Sequence, residues 1–199
     1  QSGKGFKISG VMLEESSVPT SYTPTSGSTV TRAADDLQIE RDSTNLVPYS
    51  EDFTQISWVK QAGTTLTPNT TETLSPTGSS DASKITSNGS TGILDSDVGS
   101  ASENTKSVYL KGVNGGEQVT LKDPNQTVTQ KTLTLTTEWV RYSLTETQSG
   151  AFGIWIDDIP ATGIYMWGAQ VETGDLTSYI PTSGAPASRT TFSDLFNSG

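Results

Sequence analysis

The sequence contains no cysteine and no histidine. Without cysteine there is no disulfide framework and no thiolate metal site. Without histidine, Ser-His-Asp and Cys-His catalysis, imidazole general bases and the commonest zinc ligand all fall away. Cationic residues are scarce: 12 Lys and Arg stand against 22 Asp and Glu, a net charge of −10. That balance argues against a nucleic-acid partner, because phosphate binding needs clustered Lys and Arg; it is compatible with divalent cations. Long apolar runs are also missing, so no transmembrane helix and no membrane insertion are expected. The chain starts at Gln1 with no basic, apolar-cored leader, and this end reads as cut or processed.

What the sequence does have is a segment that occurs twice. Gly5–Arg32 reads GFKISGVMLEESSVPTSYTPTSGSTVTR, and Gly163–Arg189 reads GIYMWGAQVETGDLTSYIPTSGAPASR. Gly5, Gly10 and Glu14 align with Gly163, Gly168 and Glu172; after a one-residue slip, Thr20-Ser21-Tyr22 and Pro24-Thr25-Ser26-Gly27 align with Thr177-Ser178-Tyr179 and Pro181-Thr182-Ser183-Gly184. Such repetition marks a modular chain: residues 1–44 read as the terminal strand of a preceding module plus a linker, and a second module runs to about residue 189. Residues 190–199 read as the start of a linker or of a further domain. Thr-Ser-Tyr-x-Pro-Thr-Ser-Gly cannot be helical, because proline disfavours the α region at the residue before it; it is expected to run extended, turn, and act as a module terminator.

Ser, Thr and Gly dominate, and apolar residues come in short alternating runs, the pattern of strands and turns. Strands are predicted at Ser107–Val113, Gln118–Lys122, Val128–Leu135, Trp139–Thr145, Gly150–Asp157 and Gly163–Val171, with shorter ones near Thr64–Thr67 and Ala82–Thr86. Asn88-Gly89, Asn114-Gly115-Gly116 and Asp123-Pro124-Asn125 supply turn chemistry between them. Strands at this spacing indicate an all-β sandwich or jelly roll. The one helical candidate is a single turn from Ser50 to Trp58, and Ala33–Thr44 reads as a charged linker.

Residues 45–189 resemble a module that recurs in structural proteins of tailed phages. The resemblance is carried by Asn45-Leu46, Tyr49-Ser50-Glu51-Asp52-Phe53 and Trp58 at the start. Thr137-Glu138-Trp139-Val140-Arg141-Tyr142 carries it in the middle, and Trp167-Gly168-Ala169-Gln170-Val171-Glu172, Thr177-Ser178-Tyr179-Ile180-Pro181-Thr182 and Arg189 at the end. It implies an antiparallel jelly-roll β-sandwich resembling carbohydrate-binding modules, in a tail fibre, tailspike or other virion protein. The implied location is the virion, and the implied partners are host-surface polysaccharide and other virion proteins. Fibres of this kind are commonly homotrimers. Phe53 and Trp58 are markers of the module's core.

Parity along the strands selects candidate ligand-binding residues. In Gly150–Asp157, Phe152, Ile154 and Ile156 share the core face, which turns Trp155 and Asp157 outward. The same test turns Tyr109 and Arg141 outward, opposite Val108, Leu110, Val140 and Tyr142. Trp155, Asp157, Tyr109 and Arg141 on one outer face would suit a sugar: an apolar ring stacks on a pyranose and charged groups bind hydroxyls. The same residues equally suit a subunit contact or an ordinary surface. In Gly163–Val171, Tyr165, Trp167, Ala169 and Val171 share one face, expected to be the core.

Two acidic groups are candidate calcium ligands, since calcium takes six to eight oxygens. Asp95, Asp97 and Glu103 alternate in what reads as a Gly/Ser loop; Glu51, Asp52 and Glu172 are the second group, because the resemblance to sugar-binding jelly rolls implies a structural calcium near where first and last strands meet. The alternative for Glu172 is a carboxylate that caps backbone N–H groups or pairs with Arg189. Asp157, Asp158, Glu138 and Glu146 include no pair whose spacing marks a glycosidase, so an enzyme is not expected. Three readings follow: a fibre or spike segment with a glycan-binding-like domain, a purely architectural virion module, or a secreted carbohydrate-binding module attached to a hydrolase.

Overall fold

In the computed structural model, the residues described are 41–88, 91–100, 102–125 and 129–189, together with Leu13. They form strands β1 (Ser43–Asn45), β2 (Val59–Lys60), β3 (Thr64–Thr67), β4 (Ser83–Ser87), β5 (Ile93–Ser100) and β6 (Glu103–Gly112). These continue as β7 (Gln118–Lys122), β8 (Gln130–Thr134), β9 (Val140–Thr147), β10 (Ala151–Asp157), β11 (Ile164–Thr173) and β12 (Ala187–Arg189). No helix occurs among the described residues. Apart from Leu13, the first copy of the repeat, including Glu14 and Tyr22, lies outside them, as do residues 190–199.

The strands make an antiparallel jelly-roll sandwich. One five-stranded sheet runs β2-β5-β10-β7-β8, the other β3-β4-β11-β6-β9, and β1 pairs with β12 in a two-stranded ribbon. Between the sheets, Val108 and Leu110 of β6 and Ile164 and Met166 of β11 meet Val119 and Leu121 of β7 and Phe152, Ile154 and Ile156 of β10, all fully buried. This is the alternation of two inner faces that a sandwich requires.

The structure corrects the expected face of Trp167. Ile164 and Met166 point into the core, while Tyr165 and Trp167 point out; Ala169 and Val171 then point in again. A register shift between Trp167 and Gln170 causes this, with Gly168 at φ +60°. One extra residue in a strand reverses parity beyond it. A Cβ at Gly168 would lie 3.2 Å from Tyr109 and 3.3 Å from Tyr179. Gly168→Ala therefore combines a left-handed backbone with a tight fit, and is expected to cost about 1–3 kcal/mol in urea unfolding; an unchanged midpoint would show that the bulge relaxes.

Three further expectations are corrected. Residues 50–58 form turns instead of a helix: Asp52 Oδ1 accepts the Thr54 N–H at 3.0 Å, and the Trp58 N–H reaches only back to Gln55 O at 3.1 Å. The acidic run from Asp95 is not a loop but β5, with Asp95 buried opposite Ile154 and Glu103 exposed at the start of β6. Ser43 and Thr44, read as linker, lie in β1 opposite Arg189 and Ser188.

Candidate functional site

The four residues singled out for ligand contact do point outward, but from two different sheets. Trp155 and Asp157 lie on β10 of one sheet; Tyr109 and Arg141 lie on β6 and β9 of the other. The outer faces of a sandwich look in opposite directions, so the structure does not bring the four to one site. Parity identifies which side of a strand faces out; it does not say to which sheet the strand belongs.

Around Trp155 the register builds a stripe across the sheet. Trp155 pairs with Leu94 on one side and Lys122 on the other, Leu94 pairs with Val59, and Lys122 with Gln130. Val59 is 48% exposed, and Leu94, Trp155 and Lys122 are half-buried. Lys122 Nζ lies 3.7 Å from the centre of the indole and donates to Asp157 Oδ2 at 2.6 Å. One residue pair along, Thr120 Oγ1 donates to Asp158 Oδ2 at 2.7 Å. The Trp155 Nε1 donor is buried and has no hydrogen-bond partner among the described residues. An aromatic plate, an ammonium, two carboxylates and the hydroxyls of β7 and β8 thus share one outer face. Lys122, Leu94 and Val59 were not singled out from the sequence; the alternation of Lys122 with Leu121 was visible there, but its position beside Trp155 depends on strand pairing.

The opposite face is covered more fully by the chain itself. Tyr109 packs edge-on against Trp167 at 5.5 Å and Tyr179 at 6.1 Å, and the Arg141 guanidinium stands 5.7 Å from the Tyr109 ring. Arg141 also donates to Thr177 O at 2.7 Å and to Ser107 Oγ at 2.9 Å. Thr177 and Tyr179 belong to the repeated terminator, so the segment after β11 folds back over this sheet. At the sheet's other end, Trp139 Nε1 donates to Leu74 O at 2.7 Å, Lys111 Nζ to Thr73 Oγ1 at 2.9 Å and the Tyr165 hydroxyl to Glu72 Oε2 at 3.0 Å. The hydrogen bonds from Lys84 and Tyr165 hold the Glu72 carboxyl below its usual range, and burial together with Glu72 pushes the Tyr165 hydroxyl up.

The three carboxylates of the second calcium candidate go to separate tasks. Glu172 is fully buried, and its two oxygens accept the Thr177 N–H at 2.9 Å, Thr177 Oγ1 at 2.7 Å, Ser43 Oγ at 2.5 Å and Gln170 Nε2 at 2.8 Å. Arg41 Nη2 adds a charge at 3.5 Å. Glu51 Oε1 accepts the Tyr179 hydroxyl at 2.9 Å; burial, with Glu51 alongside, pushes that hydroxyl far above an ordinary phenol. Asp52 is exposed, and hydrogen bonds from Thr54 and Gln55 pull its carboxyl below the usual range. Among the described residues no three acidic side chains converge as a metal site. A calcium ion does not fit Glu51, Asp52 and Glu172 as placed. For the first group, the side chain of Asp97 lies outside what is described.

The end motifs interlock with one another. Asn45 Nδ2 donates to Ala169 O at 3.0 Å and Ile180 O at 2.8 Å, while its Oδ1 accepts Val47 N and Val171 N. Gln170 Oε1 accepts Ile180 N at 2.7 Å, and Thr182 Oγ1 donates to Val47 O at 2.7 Å. Glu172, Thr177, Tyr179 and Thr182, which recur in the first copy, and Gln170, which does not, are thus the fasteners that tie the exit segment to the start of the module.

The four carboxylates weighed for hydrolysis are dispersed. Asp157 holds Lys122, Asp158 holds Thr120, Glu138 is exposed, and Glu146 is buried beside Lys106.

No family model matches the sequence, and no curated protein matches it. Among solved structures, the CBM22-1 xylan-binding domain of Paenibacillus barcinonensis Xyn10C is similar, at 18% identity over 68% of this chain and 94% of that one, with a TM-score of 0.47. The CBM22-1–GH10 modules of Clostridium thermocellum xylanase 10B, complexed with xylohexaose, are 15% identical over 70% of this chain and 29% of that one, with a TM-score of 0.44. The CBM6cm-2 module of Cellvibrio mixtus lichenase 5A, in complex with cellotriose, is 15% identical over 67% of this chain and 97% of that one, with a TM-score of 0.40.

Proposed function

We propose that the chain is a non-catalytic polysaccharide-binding module, and that its ligand lies along the Val59–Leu94–Trp155–Lys122–Gln130 stripe. The observation that carries this reading is Trp155: a half-buried indole on an outward sheet face, set between an apolar shoulder and a Lys–Asp pair. A sugar ring can replace the Lys122 ammonium on the indole, since both are drawn to the same ring face. Lys122 and Asp157 then donate to and accept from its hydroxyls, the small set of placed polar groups that fixes orientation. The acidic chain suits a neutral or cationic polysaccharide better than an anionic one.

The finer reading places the module in a fibre or spike of a tailed phage, where it adheres to the host surface. Its support is the resemblance of residues 45–189 to modules of such virion proteins. Weak contacts multiplied over a trimer would supply avidity without new chemistry. The architectural alternative draws on the other face, where the terminator occupies Tyr109 and Arg141.

On a glycan array, Trp155→Ala is expected to weaken binding roughly tenfold or more, as loss of an aromatic anchor does, while Tyr109→Ala leaves it intact. Equal binding by wild type and Trp155→Ala would remove the stripe as the site. No binding by a folded oligomer on glycans or host cells would favour the architectural role.

A further inference from the structure

The module's most unusual chemistry lies inside it. Lys106 of β6 shares the inward face of Val108 and Leu110, and its side chain is fully buried between the sheets. Its Nζ donates to Asn104 Oδ1 at 2.9 Å and to Glu146 Oε1 of β9, and lies 3.3 Å from Asp123 Oδ2 at the end of β7. The side chain of Asp123 is fully buried and that of Glu146 is 4% exposed. One ammonium against two carboxylates leaves a surplus negative charge in the interior. Burying charge is costly even when it is paired.

We propose that Lys106 and Asp123 join in an intramolecular isopeptide bond, with Glu146 as the proton carrier. Lys106 Nζ lies 3.3 Å from Asp123 Oδ2, which holds the amine against the carboxyl group whose Cγ it would attack, as positioning for reaction requires. A lysine amine forms covalent bonds as a nucleophile once it has lost its proton to an adjacent base. Glu146 contacts the same nitrogen, so it can take a proton from the ammonium and free the lone pair. Gln148 Nε2 donates to Glu146 Oε1 at 3.1 Å and holds that carboxyl in place. The Asp123 carboxyl is polarised from both sides. Asn125 N donates to Oδ1 at 2.8 Å, and Gly153 N donates to Oδ2 at 2.8 Å. Gly153 lies beyond the last β10–β7 pair, Trp155 with Lys122, and is also skipped by the β10–β5 register. Donors aimed at a carboxyl that must take up negative charge act as an oxyanion hole does.

The balance closes without an oxidant or a cofactor. The amine lone pair forms the N–Cγ bond. One Asp123 oxygen leaves with two protons that came from the lysine nitrogen, handed on by Glu146, and the products are one amide and one water. The step removes one ammonium and one carboxylate from the core, and exclusion of water protects the amide from hydrolysis. The bond ties β6 of one sheet to the end of β7 in the other, giving a cysteine-free chain a covalent staple.

Intact mass spectrometry of the purified chain under denaturing conditions tests this. The expected mass is one water below that of the sequence. A tryptic digest is expected to contain residues 85–111, uncut after Lys106, joined to residues 123–131. Glu146→Gln is expected to restore the full mass in a protein that still folds by circular dichroism. The full sequence mass from folded wild-type protein would overturn the bond. A water-loss species mapped to other residues would overturn the assignment, and water loss retained in Glu146→Gln would overturn the role of Glu146.

Discussion

Trp58→Ala should remove about 3–5 kcal/mol of stability, the usual cost of truncating a large core aromatic. Trp58 is 1% exposed, and it meets the fully buried Phe53 edge-on, with ring centroids 4.9 Å apart and planes at 78°. Its Nε1 donates to Tyr49 O at 2.8 Å, so truncation also leaves a backbone acceptor without its donor. No helix or long strand supports this corner. Residues 50–58 are turns, held by short-range bonds such as Asp52 to Thr54, and the apolar contact between the two rings organises them. A domain of this kind is stable by about 5–15 kcal/mol, so the change takes a large share of the total. Urea unfolding followed by circular dichroism reads it directly. Trp58→Phe keeps most of the apolar area and loses only the N–H, and is expected to cost markedly less. Equal losses in the two variants would mean that the hydrogen bond, not the packing, holds the corner.

Much of this fold was legible because strand period is a local property. Gln118–Lys122 and Thr64–Thr67 coincide with β7 and β3, and the inward set Phe152, Ile154 and Ile156 is as the alternation required. What was not legible depends on contacts between distant segments. Trp167 changed face because Gly168 inserts a bulge, and the conformation that creates it appears only as a glycine in the sequence. The run from Asp95 to Glu103 resembled a loop because Asp, Ser and Gly are weak strand formers; its part up to Ser100 belongs to β5, which pairs with β10 on one side and with β2 on the other. The candidate site divided for a similar reason. Trp155 and Tyr109 are both outward residues, and only the strand order, with β10 beside β7 and β6 beside β11, sends them to opposite faces. Lys106 lies just before the predicted Ser107–Val113 strand, so the parity test did not reach it; the strand in fact begins at Glu103. Its partners are Asp123, just past the end of β7, and Glu146 in β9, which belong to different sheets, so no spacing rule could have gathered them.

The terminator gives the second large effect. Glu172→Gln is expected to cost about 3 kcal/mol, because it takes one anionic oxygen from a buried site built entirely of donors. The carboxylate accepts from the Thr177 backbone, the Thr177 hydroxyl, Ser43 and Gln170, with Arg41 close by. The amide has a single acceptor oxygen, and its NH2 would face donors that can only donate, the Thr177 N–H or the Arg41 guanidinium. The loss should spread from there. Thr177 O is the acceptor for Arg141, and Tyr179, two residues on, packs on Trp167 and bonds Ser50. Unfastening position 172 therefore loosens the whole exit segment, and limited proteolysis should cut the variant between 174 and 189 before the sandwich unfolds. The same geometry predicts the response to chelator. Protein donors already saturate Glu172, so removing calcium should leave the wild-type melting temperature unchanged. A melting temperature that rises with calcium in wild type and stays flat in Glu172→Gln would instead make this carboxylate a cation ligand, with the hydrogen bonds a description of the empty site.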